Sequence, residues 1–189
     1  MSARGRVARF GLPLTLTLIA CQPAPATDAG EPPYSFLESR VEAALRHVED
    51  ARVALGSDRA AEATSPLEAA SVGLRKVQGY YLPLLEARFH VGRAMELSTT
   101  SPDDGRAAIE SARMTLDGVA TSHGEHLARE MQEPLAKLDE ARTRLESGEG
   151  EEARGILRRL YEQLEVLFFR GELVLEGSEL DSPLAEPPN

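Results

Sequence analysis

Residues 35–58 read SFLESRVEAALRHVEDARVALGSD. Leu37, Val41, Ala44, Val48, Ala51 and Leu55 recur at intervals of 4, 3, 4, 3 and 4. That spacing holds side chains on one stripe of an α-helix, whereas a half-buried strand would alternate at every second residue. Glu38, Arg40, Glu42, Arg46 and Asp50 fall off the stripe, so the segment is expected to bury one face and wet the other. Gly56-Ser57-Asp58 supplies the stop. A lone amphipathic helix has nothing to bury its stripe against, so the fold depends on whether the pattern returns.

It returns along the whole body of the chain. A second segment is expected from about Ser65, with Pro66 in its first turn and Leu67, Ala70, Leu74, Val77 and Tyr81 on its stripe. Pro83, in QGYYLPLL, predicts either a kink or a new helix, and Leu84, Val91 and Met95 carry the pattern on. Ser101-Pro102-Asp103-Asp104 is a helix start, followed by Ile109, Ala112, Leu116 and Val119. Ser122 and Glu125 have capping-box spacing and open a stripe of Leu127 and Met131, with Pro134 as a break or kink before Leu138, Ala141 and Leu145. After the glycine turn in ESGEGEE, Ala153, Leu157, Leu160, Leu164 and Leu167 form the last stripe, running to about Leu175. Val166, Leu167, Phe168 and Phe169 are consecutive and apolar, and one stripe cannot bury all four, so either this helix is central, the first expectation, or part of the run faces a partner. No alternating strand pattern occurs between them. The expectation is an all-α, antiparallel up-and-down bundle of four to six helices over residues 36–176.

The rest of the chain reads differently. Residues 1–20 hold Arg4, Arg6 and Arg9 and no acid, then the apolar run FGLPLTLTLIA ending at Ala20. A cationic start, a short apolar centre and a small residue at the end make a secretory signal peptide. Eleven apolar residues are too few to span a bilayer, which takes about 20. Residues 21–35, CQPAPATDAGEPPYS, are Pro- and Ala-rich and read as an extended linker, and residues 177–189 read as a disordered tail.

Leu18-Ile19-Ala20-Cys21 resembles the lipobox of bacterial lipoproteins. The resemblance implies cleavage between Ala20 and Cys21, diacylglyceryl transfer to the Cys21 sulfur and acylation of the new amino terminus, including a palmitate chain. Two or three acyl chains give lasting attachment where one does not. Gln22 is not the aspartate that marks inner-membrane retention in enteric bacteria, so the resemblance favours the outer membrane facing the periplasm. Two windows, VEDARVALGSD and EARTRLESGEGEEARGIL, are similar to YfdX-type exported helical proteins, and the last helical pair resembles a tetratricopeptide hairpin. The shared pairs Ala51-Arg52, Ala87-Arg88 and Ala141-Arg142 are unequally spaced, which argues against a solenoid.

Charge narrows the partners. Without residues 1–20 the chain carries 18 basic against 31 acidic residues, a balance that phosphate backbones repel, so nucleic acid is excluded as a partner. No phosphate-binding glycine loop, zinc-protease helix or serine-nucleophile turn occurs, and neither an enzyme nor a cofactor is expected. His123 and His126 in SHGEHLARE share a helix face and are the one pair able to grip a metal ion together. No third ligand accompanies them, so they read as exposed polar residues and no metal site is assigned. His47 and His90 are expected at helix–helix boundaries, and Tyr80 and Tyr81 either in the core or lining a groove at Pro83. Function is therefore expected to be binding. The first reading is a membrane-anchored module for protein interaction or assembly in the cell envelope. The second is a small-molecule or metal-binding protein with its site inside the bundle.

Overall fold

The helical stripes close into the expected class of fold. In the computed structural model, which describes residues 33–181, every regular element is a helix. Helix α1 (Pro33–Gly56) turns back through Ser57–Arg59 into α2 (Ala60–Lys76). A π-helical turn, Val77–Tyr81, joins α2 to α3 (Leu82–Leu97). Helices α4 (Pro102–Ser122), α5 (Gly124–Glu146) and α6 (Gly150–Phe169) follow, then a short α7 (Gly171–Leu175) and a 3-10 turn, Glu179–Asp181.

Helices α3 to α6 form the bundle. Each packs on the next, and α6 returns against α3 to close the ring. Connections at residues 98–101, 123 and 147–149 are too short for anything but antiparallel neighbours. Leu84, Ile109, Leu116, Leu127, Met131, Leu138, Leu157, Leu160, Leu164 and Phe168 are fully buried at its centre. Each such side chain contributes on the order of 2 kcal/mol by leaving water.

Helices α1 and α2 form a separate layer, a hairpin whose two arms pack chiefly on each other. From Ala60 to Leu97 the chain stays helical for 38 residues, about 57 Å, while the bundle needs only the α3 portion. The hairpin continues beyond α3 for at most about 25 Å, the length of the 17-residue α2, with its inner end resting on α7 and residues 179–181.

Five local readings are corrected. Helix α2 starts at Ala60, so Pro66 lies in its second turn and not its first. Pro134 is buried within an unbroken α5. At Pro83 no separate helix starts, and the chain stays helical from Ala60 to Leu97. Proline has no N–H for the Gly79 carbonyl, and the chain widens into a π-turn just before it, with Leu82 N–H donating to the Val77 carbonyl. Ser122 closes α4 instead of capping α5, and His123 alone links the two helices before Gly124 at φ 85°. The VLFF run is not central on all sides either. Phe168 is buried, but Val166 is 52% and Phe169 40% exposed.

The ends of the body also shift. Pro33, Tyr34 and Ser35 belong to α1 and not to the linker. The start of the tail is ordered: Gly177, at φ 74°, turns the chain so that Leu180 is buried and Asp181 reaches Lys76. The leader, the signal cleavage position Ala20–Cys21, the linker up to residue 32 and the tail from residue 182 lie outside the described residues. No described helix is long and apolar enough to cross a membrane.

Candidate interaction surface

The six-residue stripe that decides the fold is divided by the hairpin. Leu37, Ala44 and Ala51 are buried, while Val48 is 43% and Leu55 53% exposed. Helix α2 divides likewise, with Ala63 and Ala70 buried and Leu67 and Leu74 each 46% exposed. The seam is therefore lined by small residues. Ala44, Ala51, Ala54, Ala63 and Ala70 fill it, and a methyl group added at Gly73 would lie 3.8 Å from Ala44 Cβ. Small residues let helix axes approach toward the 8 Å limit, and the neighbouring larger side chains are then squeezed to the flank.

Register places those larger side chains together. Val41, Val48 and Leu55 each follow a seam position by four residues, as Leu67 and Leu74 follow Ala63 and Ala70. In antiparallel helices equal offsets fall on the same side of the pair. Leu45, one residue past Ala44 and 61% exposed, joins them. Leu45, Val48, Leu55, Leu67 and Leu74 make one apolar face, with Val41 partly buried at its edge.

Residues with the opposite offset line the other side. There Arg40, His47, Gly73, Lys76, Tyr81 and Glu172 surround a cleft of about 310 Å³ where the hairpin meets α7. Glu172 is its hub. Its carboxylate lies 2.9 Å from Arg40 and 3.1 Å from Lys76 Nζ, and it accepts a 3.0 Å hydrogen bond from the Tyr81 hydroxyl. Lys76 also donates to Asp181 at 2.6 Å. Burial works against the Lys76 charge, but its two carboxylate partners outweigh it and hold its pKa above the ordinary lysine value. The hydrogen bond from Lys76 in turn holds the Asp181 carboxyl below the usual range. Behind the hub, the Phe36 ring meets Tyr81, Phe168 and Phe169 edge-on at 5.3–6.1 Å. Arg40 stacks over Phe36 at 4.8 Å. Tyr80 and Tyr81 are core residues, and burial pushes both phenols well above their ordinary pKa. The Tyr80 hydroxyl donates to the Leu167 carbonyl at 3.0 Å.

His123 and His126 are not brought together for one ligand. His126 Nε2 bonds the Val174 carbonyl at 2.8 Å, tying α5 to α7. His123 presses on the π-turn, where a methyl group at Gly79 would lie 2.8 Å from its Nε2. Among the described residues no three His, Cys, Asp or Glu side chains are grouped to hold a metal ion. His90 sits between Phe89 and Glu86, and His47 at the cleft. The Glu172 hub and the outward leucines were missed in the sequence. The alternation of alanine with leucine or valine along the α1 stripe was the available signal for the second. No protein-family model matches the chain, and comparison with the curated proteins and the solved structures found no match.

Proposed function

We propose that this chain is a lipid-anchored envelope protein whose helical body is a protein-interaction module. The lipobox-like Leu18-Ile19-Ala20-Cys21 supports the anchor, with lipid on Cys21 and the outer membrane as its site. One observation carries the interaction reading: five large apolar side chains stand exposed on one face of a projecting hairpin. Monomeric proteins scatter such residues singly, and a contiguous patch marks a surface that something covers. Enzymatic activity has no support in the residues available. A small-molecule reading rests on clefts such as that at Glu172, which lies beside the hairpin and outside the bundle core.

The anchor is tested in cells with Cys21→Ser. The native chain is expected to fractionate with membranes and to incorporate labelled palmitate, and the variant to do neither. Palmitate uptake by the variant would end the lipoprotein reading. Mild crosslinking of the native membranes separates the two binding classes. A protein crosslinked through the hairpin supports the module, and a lone chain that co-purifies with a small molecule sinks it.

A further inference from the structure

We infer that the occupant of the hairpin's apolar face is a second copy of this chain, packed antiparallel so that two hairpins form a four-helix layer. This rests on the interaction-module reading for the surface, and adds its partner.

Charge selects the occupant and its direction. Residues 33–76 carry six basic and seven acidic side chains, a net charge of −1. Residues 77–181 carry 12 basic and 21 acidic side chains, a net charge of −9. Two copies approaching through their bundles would meet like charge, whereas two hairpins meet nearly neutral. Antiparallel overlap also sets the two bundles at opposite ends of a layer about 25 Å long. That exceeds the Debye length of about 8 Å at physiological ionic strength, so the bundles are screened from each other.

Register makes the face complementary to itself, as a two-fold interface must be. Taking the register from the Ala44–Gly73 contact, Leu67 stands level with Asp50 and Leu74 with Ala43. A two-fold axis through Val48 sets Val41 of one copy at the height of Leu55 of the other. It also sets Leu45 within one residue of the height of Leu67. From Val41 to Leu55 the face is about 21 Å long, and two helices side by side are about 20 Å wide. Two such faces cover about 840 Å² together, an area that fits a weak, transient pairing.

The test uses the full chain carrying Cys21→Ser, which removes the native thiol and the lipid with it. Sedimentation equilibrium is expected to follow a concentration-dependent conversion from 20.5 kDa to twice that mass. Adding Leu45→Glu and Leu67→Glu is expected to weaken the dimer at least about a hundredfold with unchanged helix content. In the same background, Val48→Cys is expected to crosslink to itself through a short bis-maleimide, and Val53→Cys, on the back of α1, is not. A chain that stays monomeric at about 0.5 mM overturns the inference. So does a dimer that survives the two glutamates, or one that crosslinks equally through position 53. If a different protein is captured at position 48 in cells while the purified chain stays monomeric, the second copy is refuted and the module reading stands. Failure of the Cys21 palmitate test leaves this inference untouched.

Discussion

The bundle and the hairpin use the same heptad arithmetic and differ in the size of the residue placed at the seam. In the bundle the buried positions mix seven alanines with eight leucines and with larger groups such as Ile109, Met131 and Phe168, so small residues face large ones across its core. In the hairpin, beyond Leu37 at its base, they are alanine alone, with Gly73 in the same row. A buried leucine contributes about 2 kcal/mol, while an alanine brings a single methyl group worth about 0.8 kcal/mol. The bundle draws its stabilisation from eight leucines buried at its centre. The hairpin has leucines and valines too, but its close-packed seam leaves no room for them, and they face water. A two-helix layer with so thin a core is marginal alone. That is a sound design for a surface meant to be completed by a partner.

The largest effect that separates the two regions is cavity formation. Leu160→Ala, at the bundle centre, is expected to cost about 3 kcal/mol, from lost transfer energy plus an unfilled cavity. Ala51→Gly, at the hairpin seam, is expected to cost about 1 kcal/mol, mainly through helix propensity. Urea unfolding followed by circular dichroism measures both. Equal losses at the two positions would mean that the hairpin seam holds as much core as the bundle, and the contrast would be lost.

The same contrast explains what could be read from the sequence. Stripe spacing tells which residues share a helix face, so the class of fold, the antiparallel order and most bundle core positions were legible. Spacing does not tell how near the neighbouring helix comes. That distance depends on the residues facing across the gap, and only the pairing of Ala44 with Gly73 reveals it. Val48 and Leu55 were therefore read as core and stand exposed. Prolines misled for a related reason. Pro66 and Pro134 each forfeit one helical hydrogen bond, a local loss that surrounding packing outweighs, so neither ends its helix. The Glu172 hub joins residues from positions 40 to 181, and no local pattern announces contacts that far apart in the chain.

That hub is where the two regions are fastened, and it makes the fastening sensitive to pH. Asp181 has its folded pKa depressed by Lys76, so its contribution is present above the unfolded value of 3.8 and lost as pH falls through the lower folded value. Lys76 has its folded pKa raised, so its contribution is present below 10.5 and lost as pH rises through the folded value. The Tyr80 and Tyr81 phenols, raised by burial, add to the alkaline loss once unfolded tyrosine ionises above 10.0. The acid step at Asp181 is expected to be on the order of 1 kcal/mol, after discounting for its partial exposure. Hydrogen exchange, corrected for the intrinsic rate, should show peptides over residues 171–181 losing protection in acid before those of α4 and α5. Asp181→Asn should lower that protection at neutral pH and abolish the acid step. An unchanged acid step in the variant would place the titrating group elsewhere.

The smallest effect sharpens the picture of the seam itself. Gly73 lies inside α2, where glycine costs helix stability because its unfolded backbone is so free. An added methyl group there would meet Ala44 Cβ at 3.8 Å, an ordinary contact that needs no movement. Gly73→Ala is therefore expected to stabilise the hairpin by about 0.5–1 kcal/mol. Gly150 is the counterpart in the bundle. There the added methyl would lie 2.5 Å from the Ser98 carbonyl oxygen, a backbone atom that cannot yield, and alanine is expected to destabilise. Thermal unfolding of the two variants side by side reads the sign of each change. If Gly73→Ala also destabilises, the hairpin helices sit closer than the Ala44–Gly73 geometry allows. The outward position of Val48 and Leu55 would then need a cause other than the small-residue seam.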